Sequence, residues 1–414
     1  MPKDTSSLAP LGIPAFRNLW LANISSNMGV TIQGVGAAWL MTSLADGAAG
    51  MVALVQTATT LPVLLFALIG GTLADNYPRR SVMLVAQLFM LAVSIILVTA
   101  ALTGGISPWI LLAFTFTIGC GTALNHPSWH ASVGDIVPRA QLPSAVALNS
   151  IGYNMARSLG PAVGGAIVAF AGAVAAFLIN AICYLGMISV LLRWKPNYPA
   201  RQTPPERFFP ALVTGFRHVA GAPEILRVLA RAFLFTSTAV IVVALLPVIT
   251  SSKLGGDALM YGLLLGSFGV GAILAGLFSS RIQKRFPSEL VGRAAFFGFA
   301  LAALALGFSP SPWPAVPALI IAGASWVLAL SLFNVSVQLL SPRQVVGRTL
   351  ALYQVASFGG MAVGSWFWGL SAEALGIEFT FAAAAIVLLL GGGIGLLMPL
   401  PAQSTLRPAP SEAA

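Results

Sequence analysis

The sequence predicts an all-α membrane protein, twelve transmembrane helices arranged as two pseudo-symmetric six-helix bundles. Three observations predict it. The 414 residues are 57% hydrophobic and only 8% charged, whereas soluble domains carry roughly 25% charged residues. Twelve apolar stretches each reach the ~20 residues that a helix needs to cross a bilayer. The 21 Lys and Arg residues, apart from Arg157 and Lys253, fall in every second gap between those stretches or in the two tails. Basic loops mark the cytoplasmic side of a bacterial inner-membrane protein, so both termini are expected inside.

Taken in order, the spans lie near 18–42, 50–73, 81–103, 108–132, 146–171 and 174–193, then 231–250, 258–280, 292–310, 314–338, 349–375 and 378–400. They are too long and too uniformly apolar for the alternation of a membrane barrel. A polar tail, 1–17, holds Lys3 and Arg17 and shows no cleavable signal. Arg79 and Arg80 follow the second span, and Arg139 follows the fourth. The longest polar gap, 194–230, carries Arg193, Lys195, Arg201, Arg207, Arg217 and Arg227, with Arg231 at its edge. Its part Phe208–Leu229 alternates apolar and basic residues, as either an interfacial amphipathic helix or a solvated linker would. Arg281, Lys284, Arg285 and Arg293 follow the eighth span, and Arg343 and Arg348 the tenth. Residues 401–414 read as a disordered cytoplasmic tail. The net charge of +10 sits in loops beside lipid head groups, which argues against nucleic acid as a partner. Trp20, Trp109, Trp194 and Trp313 stand near span ends and read as interfacial anchors.

The two halves, 18–193 and 231–400, resemble each other. Val137-Pro138-Arg139 and Ser341-Pro342-Arg343 are separated by 204 residues. The same spacing pairs Ala147-Leu148 with Ala351-Leu352, Gly160 with Gly364, and Gly165 with Gly369. Parallel repeats of this kind are a transporter architecture, with the substrate expected near the midplane between the halves.

Two motifs sharpen the reading. Gly71-Thr72-Leu73-Ala74-Asp75-Asn76-Tyr77-Pro78-Arg79-Arg80 resembles the loop signature of the major facilitator superfamily. Gly71, Leu73, Ala74, Asp75, Arg79 and Arg80 match it, and Asn76 and Pro78 depart from it. Gly71 would let a neighbouring helix approach closely. The charges Asp75, Arg79 and Arg80 would form a latch that holds in one conformational state and releases in another. In the second half the equivalent loop, Gly276 to Arg285, has Ser280 in place of the acid. Gly160-Pro161-Ala162-Val163-Gly164-Gly165 resembles the antiporter motif of the same superfamily, which is associated with exporters. Pro161 bends the helix and the glycines allow tight packing.

Residues 14–195 as a whole look like the enterobactin-exporter-like branch, through Phe16-Arg17-Asn18-Leu19-Trp20, Ile136-Val137-Pro138-Arg139 and Ala145-Val146-Ala147-Leu148-Asn149. That resemblance implies proton-driven efflux of a siderophore-like, drug-like or similar amphipathic molecule.

Arg157 is the one basic residue well inside a span, and such a charge is a candidate for binding substrate or holding a gate with Asn154. Snorkelling to the inner surface is the plain alternative. His126 and His130 share a helix face and can carry protons. Asn27, Gln33, Gln56, Asn334 and Gln338 are further candidates for substrate or coupling contacts, or for hydrogen bonds between helices. The eleven acids stand outside span interiors or at their edges. Coupling would then run through Asp75, a histidine or Glu373, or be absent. No nucleotide-binding, G-x-S-x-G or H-E-x-x-H pattern occurs. The expected function is therefore secondary transport, not enzymology: export by a monomer among membrane lipids, with a proton gradient and no cofactor or metal. An importer, a lipid flippase, an intramembrane enzyme and a non-transporting sensor are the alternatives.

Overall fold

The computed structural model describes residues 8–196, 219–341, 346–397 and 399–400. The described residues are almost wholly helical and contain no strand. The chain runs α1 (Pro14–Leu44), α2 (Ala49–Asn76), α3 (Arg79–Leu102) and α4 (Pro108–Ile136). One continuous stretch, Leu142–Arg193, breaks at Gly172 (φ 78°, ψ 170°), which divides it into α5 (142–171) and α6 (173–193). Only glycine adopts that backbone at no steric cost. The second half has α7 (Pro223–Val248), α8 (Ala258–Arg285), α9 (Ser288–Gly307), α10 (Pro312–Leu340), α11 (Val346–Leu375) and α12 (Ile377–Leu397).

All twelve expected spans are present as helices. Most extend a few residues past the apolar stretch, because a helix need not end where the hydrocarbon ends. The largest difference is α7, which starts at Pro223, within the stretch read as linker. Proline suits the first helical turn and Glu224 its positive dipole end. The rest of that linker, 197–218, lies outside the described residues, as do the Pro342-Arg343 turn and 401–414.

Among the described residues, nine helical stretches are long and apolar enough to cross a membrane, one of them covering both α5 and α6. Helices α1 and α11 are not among them. Both carry polar runs, Asn23 to Asn27 in α1 and Tyr353-Gln354 in α11.

The helices gather into two compact units. The first holds α1, α2 from Leu61, α3 to α6, and the start of α8 as far as Gly266. Within it α1 lies between α5 and α6. A Cβ at Gly29 or Gly36 would run into Asn180 and Cys183, or into Ala176, of α6; one at Gly152 or Gly164 would run into Ile24, or into Ile32 and Val35. Its core near the basic loops is built from Phe16, Leu19, Met83, Trp129, Met187, Leu191 and Trp194. The second unit holds the start of α2 (Ala48–Thr60), α7, the remainder of α8, and α9 to α12. There Phe235 of α7 packs edge-on against Phe296 and Phe299 of α9 and Phe333 of α10, with centroids 5.1–6.4 Å apart. Trp194 is buried in the first core, so it is a packing residue and not the lipid anchor expected from its position. Trp109 and Trp313 are exposed, as anchors must be. Trp20 donates to the Leu148 carbonyl at 3.0 Å, which fastens α1 to α5.

Candidate functional site

The loop motif after α2 is built around the start of α3. Pro78 precedes the helix, so Arg79 and Arg80 open its first turn. The Arg79 guanidinium donates to Asp135 Oδ2 at 2.7 Å and to the Ala131 carbonyl at 2.7 Å, both on α4. Arg80 donates to the Leu191 and Leu192 carbonyls at 2.7 and 3.1 Å. Those carbonyls belong to the last turn of α6, where no backbone donor remains and a cation suits the dipole. These bonds lie inside the first unit. The Asp75 backbone belongs to the last turns of α2, and its side chain lies outside the described residues. The close approach expected at Gly71 occurs one residue earlier. Among the described residues a Cβ at Gly71 meets nothing within 4 Å, whereas one at Gly70 would stand 2.8 Å from the Ala123 carbonyl on α4. The pair of glycines offered two faces, and the sequence did not say which one met α4.

The antiporter-like run occupies the middle of α5 and the part leading to Gly172. A Cβ at Gly160 would overlap Thr31 Oγ1, and one at Gly164 would sit 3.1 Å from Ile32 Cα, both on α1. Gly165 faces the other way, toward α8. Its Cβ would be 2.5 Å from Gly262 Cα and 2.7 Å from the Ala258 carbonyl. Pro161 is buried between these contacts. Having no N–H, it leaves the Arg157 carbonyl without its helical partner.

In the second unit the paired glycines of α11 repeat this arrangement. Gly364 packs on the Ser237 carbonyl of α7, and a Cβ at Gly369 would be 2.5 Å from Ala53 Cβ and 3.2 Å from Gly50 Cα of α2. Beside it, the Gly50 N–H donates to Glu373 Oε2 at 3.2 Å.

A polar face runs along α4 and α5 of the first unit. His126 and His130 stand edge to face with ring centroids 5.9 Å apart. His126 also meets the Tyr153 ring of α5 at 6.1 Å. Tyr153, Asn154 and Arg157 are exposed, as is His130, and His126 is half-buried. Asn154 donates to the Ser150 carbonyl at 2.9 Å. Arg157 makes no hydrogen bond or ion pair with any described residue. It lies about 22 Å along the helix from Leu142, at the centre of α5, too deep for its side chain to reach the helix end.

The remaining candidates are placed less suggestively. Gln33 is buried and accepts from Asn180 Nδ2, which ties α1 to α6. Asn27 turns back to the Asn23 carbonyl at 2.8 Å. Gln338 donates to Asn334 within α10. Gln56 is half-buried on α2.

Sequence reasoning passed over Tyr153, whose position four residues before Arg157 was the available signal. It also read Arg231, at the edge of the polar gap, as one of the charges that only orient the chain. Arg231 is 4% exposed and pairs with Glu289 of α9, whose Oε2 also accepts the Leu400 N–H at 2.8 Å. Lys253 similarly pairs with Glu378 at 2.6 Å. No cluster of three metal-ligating side chains occurs among the described residues.

A family model described as transmembrane secretion effector matches residues 5–413. The multidrug efflux pump Tap of Mycobacterium tuberculosis is 24% identical over 412 residues, 95% of this chain and 96% of that protein. The enterobactin exporter EntS of Salmonella typhi is 25% identical over 388 residues, 93% of this chain and 90% of that one. Among solved structures, a bacterial homolog to the human lysosomal transporter Spinster, inward-facing and unoccupied, superposes with a TM-score of 0.73 at 17% identity, covering 96% of this chain and 98% of that one.

Proposed function

The chain belongs to the transmembrane secretion effector family of the major facilitator superfamily, and on that premise we propose that it exports small amphipathic molecules, siderophore-like or drug-like, across the bacterial inner membrane in exchange for protons. Family and fold are those of multi-pass membrane transporters and not of enzymes. The export reading draws on the named functions of the two relatives and on the antiporter-like run at Gly160 to Gly165.

The observation that carries the mechanism is the glycine contact between α5 and α8, repeated between α11 and α2. At both places helices from opposite halves of the sequence meet through small residues. In a membrane such contacts hold by close packing, with no hydrophobic drive to keep them shut. Each lies inside one compact unit of this structure, and we read both as contacts that part and re-form during alternating access. With the basic loops inside, these contacts fall at the outer ends of the helices and would form the outer closure. Proton exchange is assigned to the His126–His130–Tyr153 file, the titratable cluster at membrane depth. The substrate gradient runs against the proton gradient, with no cofactor, in a monomer whose termini are both cytoplasmic.

Everted membrane vesicles test this. An acid-inside gradient is imposed, compounds are added, and dissipation is followed by fluorescence. Compound-dependent dissipation and accumulation in vesicles carrying the chain are expected. Accumulation without dissipation would remove proton coupling. Uptake confined to right-side-out vesicles would turn the exporter into an importer.

A further inference from the structure

We propose that Arg157 is the specificity-determining residue of this transporter and that it holds a carboxylate of the substrate at the middle of the membrane. The inference deepens the export reading by naming the chemical class of its cargo.

Depth is the first argument. Arg157 is at the centre of α5, exposed on the first unit, and makes no hydrogen bond or ion pair with a described residue. A guanidinium at that depth cannot rest in hydrocarbon, so the face that carries it borders water.

The neighbours supply the second. Tyr153 and Asn154 lie one turn away on the same side of α5, and Tyr153 touches His126 of α4. His126 stands about 15 Å from the basic end of α4 and His130 about 9 Å, so these groups form a polar file from the cytoplasmic end to Arg157. The described acids stand at helix ends or in turns, and none pairs with Arg157. A fixed cation with no counter-ion among the described residues attracts an anion from outside, and the planar fork of Arg binds a carboxylate through two hydrogen bonds.

The internal repeat supplies the third. At the spacing of 204 residues the packing glycines are kept, Gly160 as Gly364 and Gly165 as Gly369. Arg157, however, corresponds to Met361, Tyr153 to Ser357 and His126 to Leu330. The second copy builds the same helix contacts without the cation. Arg157 is therefore not a requirement of the fold.

Purified protein in detergent is titrated with 2,3-dihydroxybenzoate and citrate, and with the neutral 2,3-dihydroxybenzamide and triethyl citrate. Wild type is compared with Arg157→Met, the residue that the second copy carries, and with Arg157→Lys. The acids are expected to bind wild type and to lose about tenfold or more in affinity in Arg157→Met. Arg157→Lys should recover part of that loss, and the neutral probes should bind all three forms alike. Retained binding of the neutral probes also shows that Arg157→Met is folded. Equal binding of acid and amide to wild type, no binding of either acid, or unchanged acid affinity in Arg157→Met would overturn the assignment. The same compounds in everted vesicles separate the two readings. Acid-selective binding with no flux would sink export and leave the anion site standing. Flux of neutral compounds without acid binding would do the reverse.

Discussion

Gly165 of α5 and Gly262 of α8 meet backbone to backbone: a Cβ on Gly165 would stand 2.5 Å from Gly262 Cα, and one on Gly262 would stand 2.6 Å from Gly165 Cα. Neither position has room for a methyl group unless the helices separate. Gly165→Val or Gly262→Val is therefore expected to leave the chain folded and inserted, with the contact wedged open. Transport should fall by more than tenfold, while a cysteine placed at Ala258 becomes reactive to a membrane-impermeant maleimide. Gly71→Ala, with open space around it, should change neither reading. Normal flux in Gly165→Val would show that the contact need never close.

The equivalent contact of the repeat carries a polar element. Gly50 stands in the first turn of α2, where backbone N–H groups lack helical partners, and Glu373 of α11 accepts its N–H at 3.2 Å. The carboxylate also complements the helix dipole. With Cys120 and Cys183 replaced by alanine, a cysteine at Ala53 should react faster in Glu373→Ala than in the parent. Glu373→Gln keeps an acceptor and should stay closer to the parent rate. Equal rates in all three would mean that the glycine packing closes this contact unaided.

Much of the architecture was legible in the sequence because a bilayer imposes a length and a polarity on every crossing. All twelve helices and the break at Gly172 follow from that constraint. The repeated glycines were legible too: a Cβ at Gly165, Gly364 or Gly369 would meet backbone of a neighbouring helix, and one at Gly160 the Thr31 side chain. Charges were harder to place. Arg231, at a span edge, looked like an orienting charge only, because topology explains any basic residue near a span end. Only the fold reveals that it turns inward to Glu289. Gly71 failed for a related reason, since two adjacent glycines give no hint of which faces the neighbour. The file from His130 to Arg157 joins two helices whose contact depends on tertiary geometry, and Tyr153, which links them, carries no local signature.

The pair formed by Arg231 and Glu289 ties the start of α7 to the start of α9, and Glu289 also holds the Leu400 N–H beyond α12. Arg231 further lies 5.7 Å from the Phe296 ring. Removing one partner strands the other charge in a buried place. Glu289→Ala is expected to destabilise the protein by about 3–5 kcal/mol, the range for breaking a buried pair. Thermal unfolding in detergent reads this, and Arg231→Met with Glu289→Leu should recover most of the loss. No recovery in the double variant would mean that the Leu400 bond matters more than the pair.

The file of titratable groups makes the last prediction. His126 touches both His130 and Tyr153, with interplanar angles of 71° and 81°. It is the member that joins α4 to α5, and it lies between the exposed His130 and the depth of Arg157. If protons travel along this file, His126→Gln removes the titrating group yet keeps a side chain that can hydrogen-bond. Compound-dependent dissipation of the pH gradient should then disappear. Exchange of labelled for unlabelled substrate, which needs the conformational cycle but no net proton movement, should continue near the wild-type rate. Loss of both would make His126 a packing or substrate residue. Retention of both would move the proton to another group, with Glu373 next to be tested by the same pair of assays.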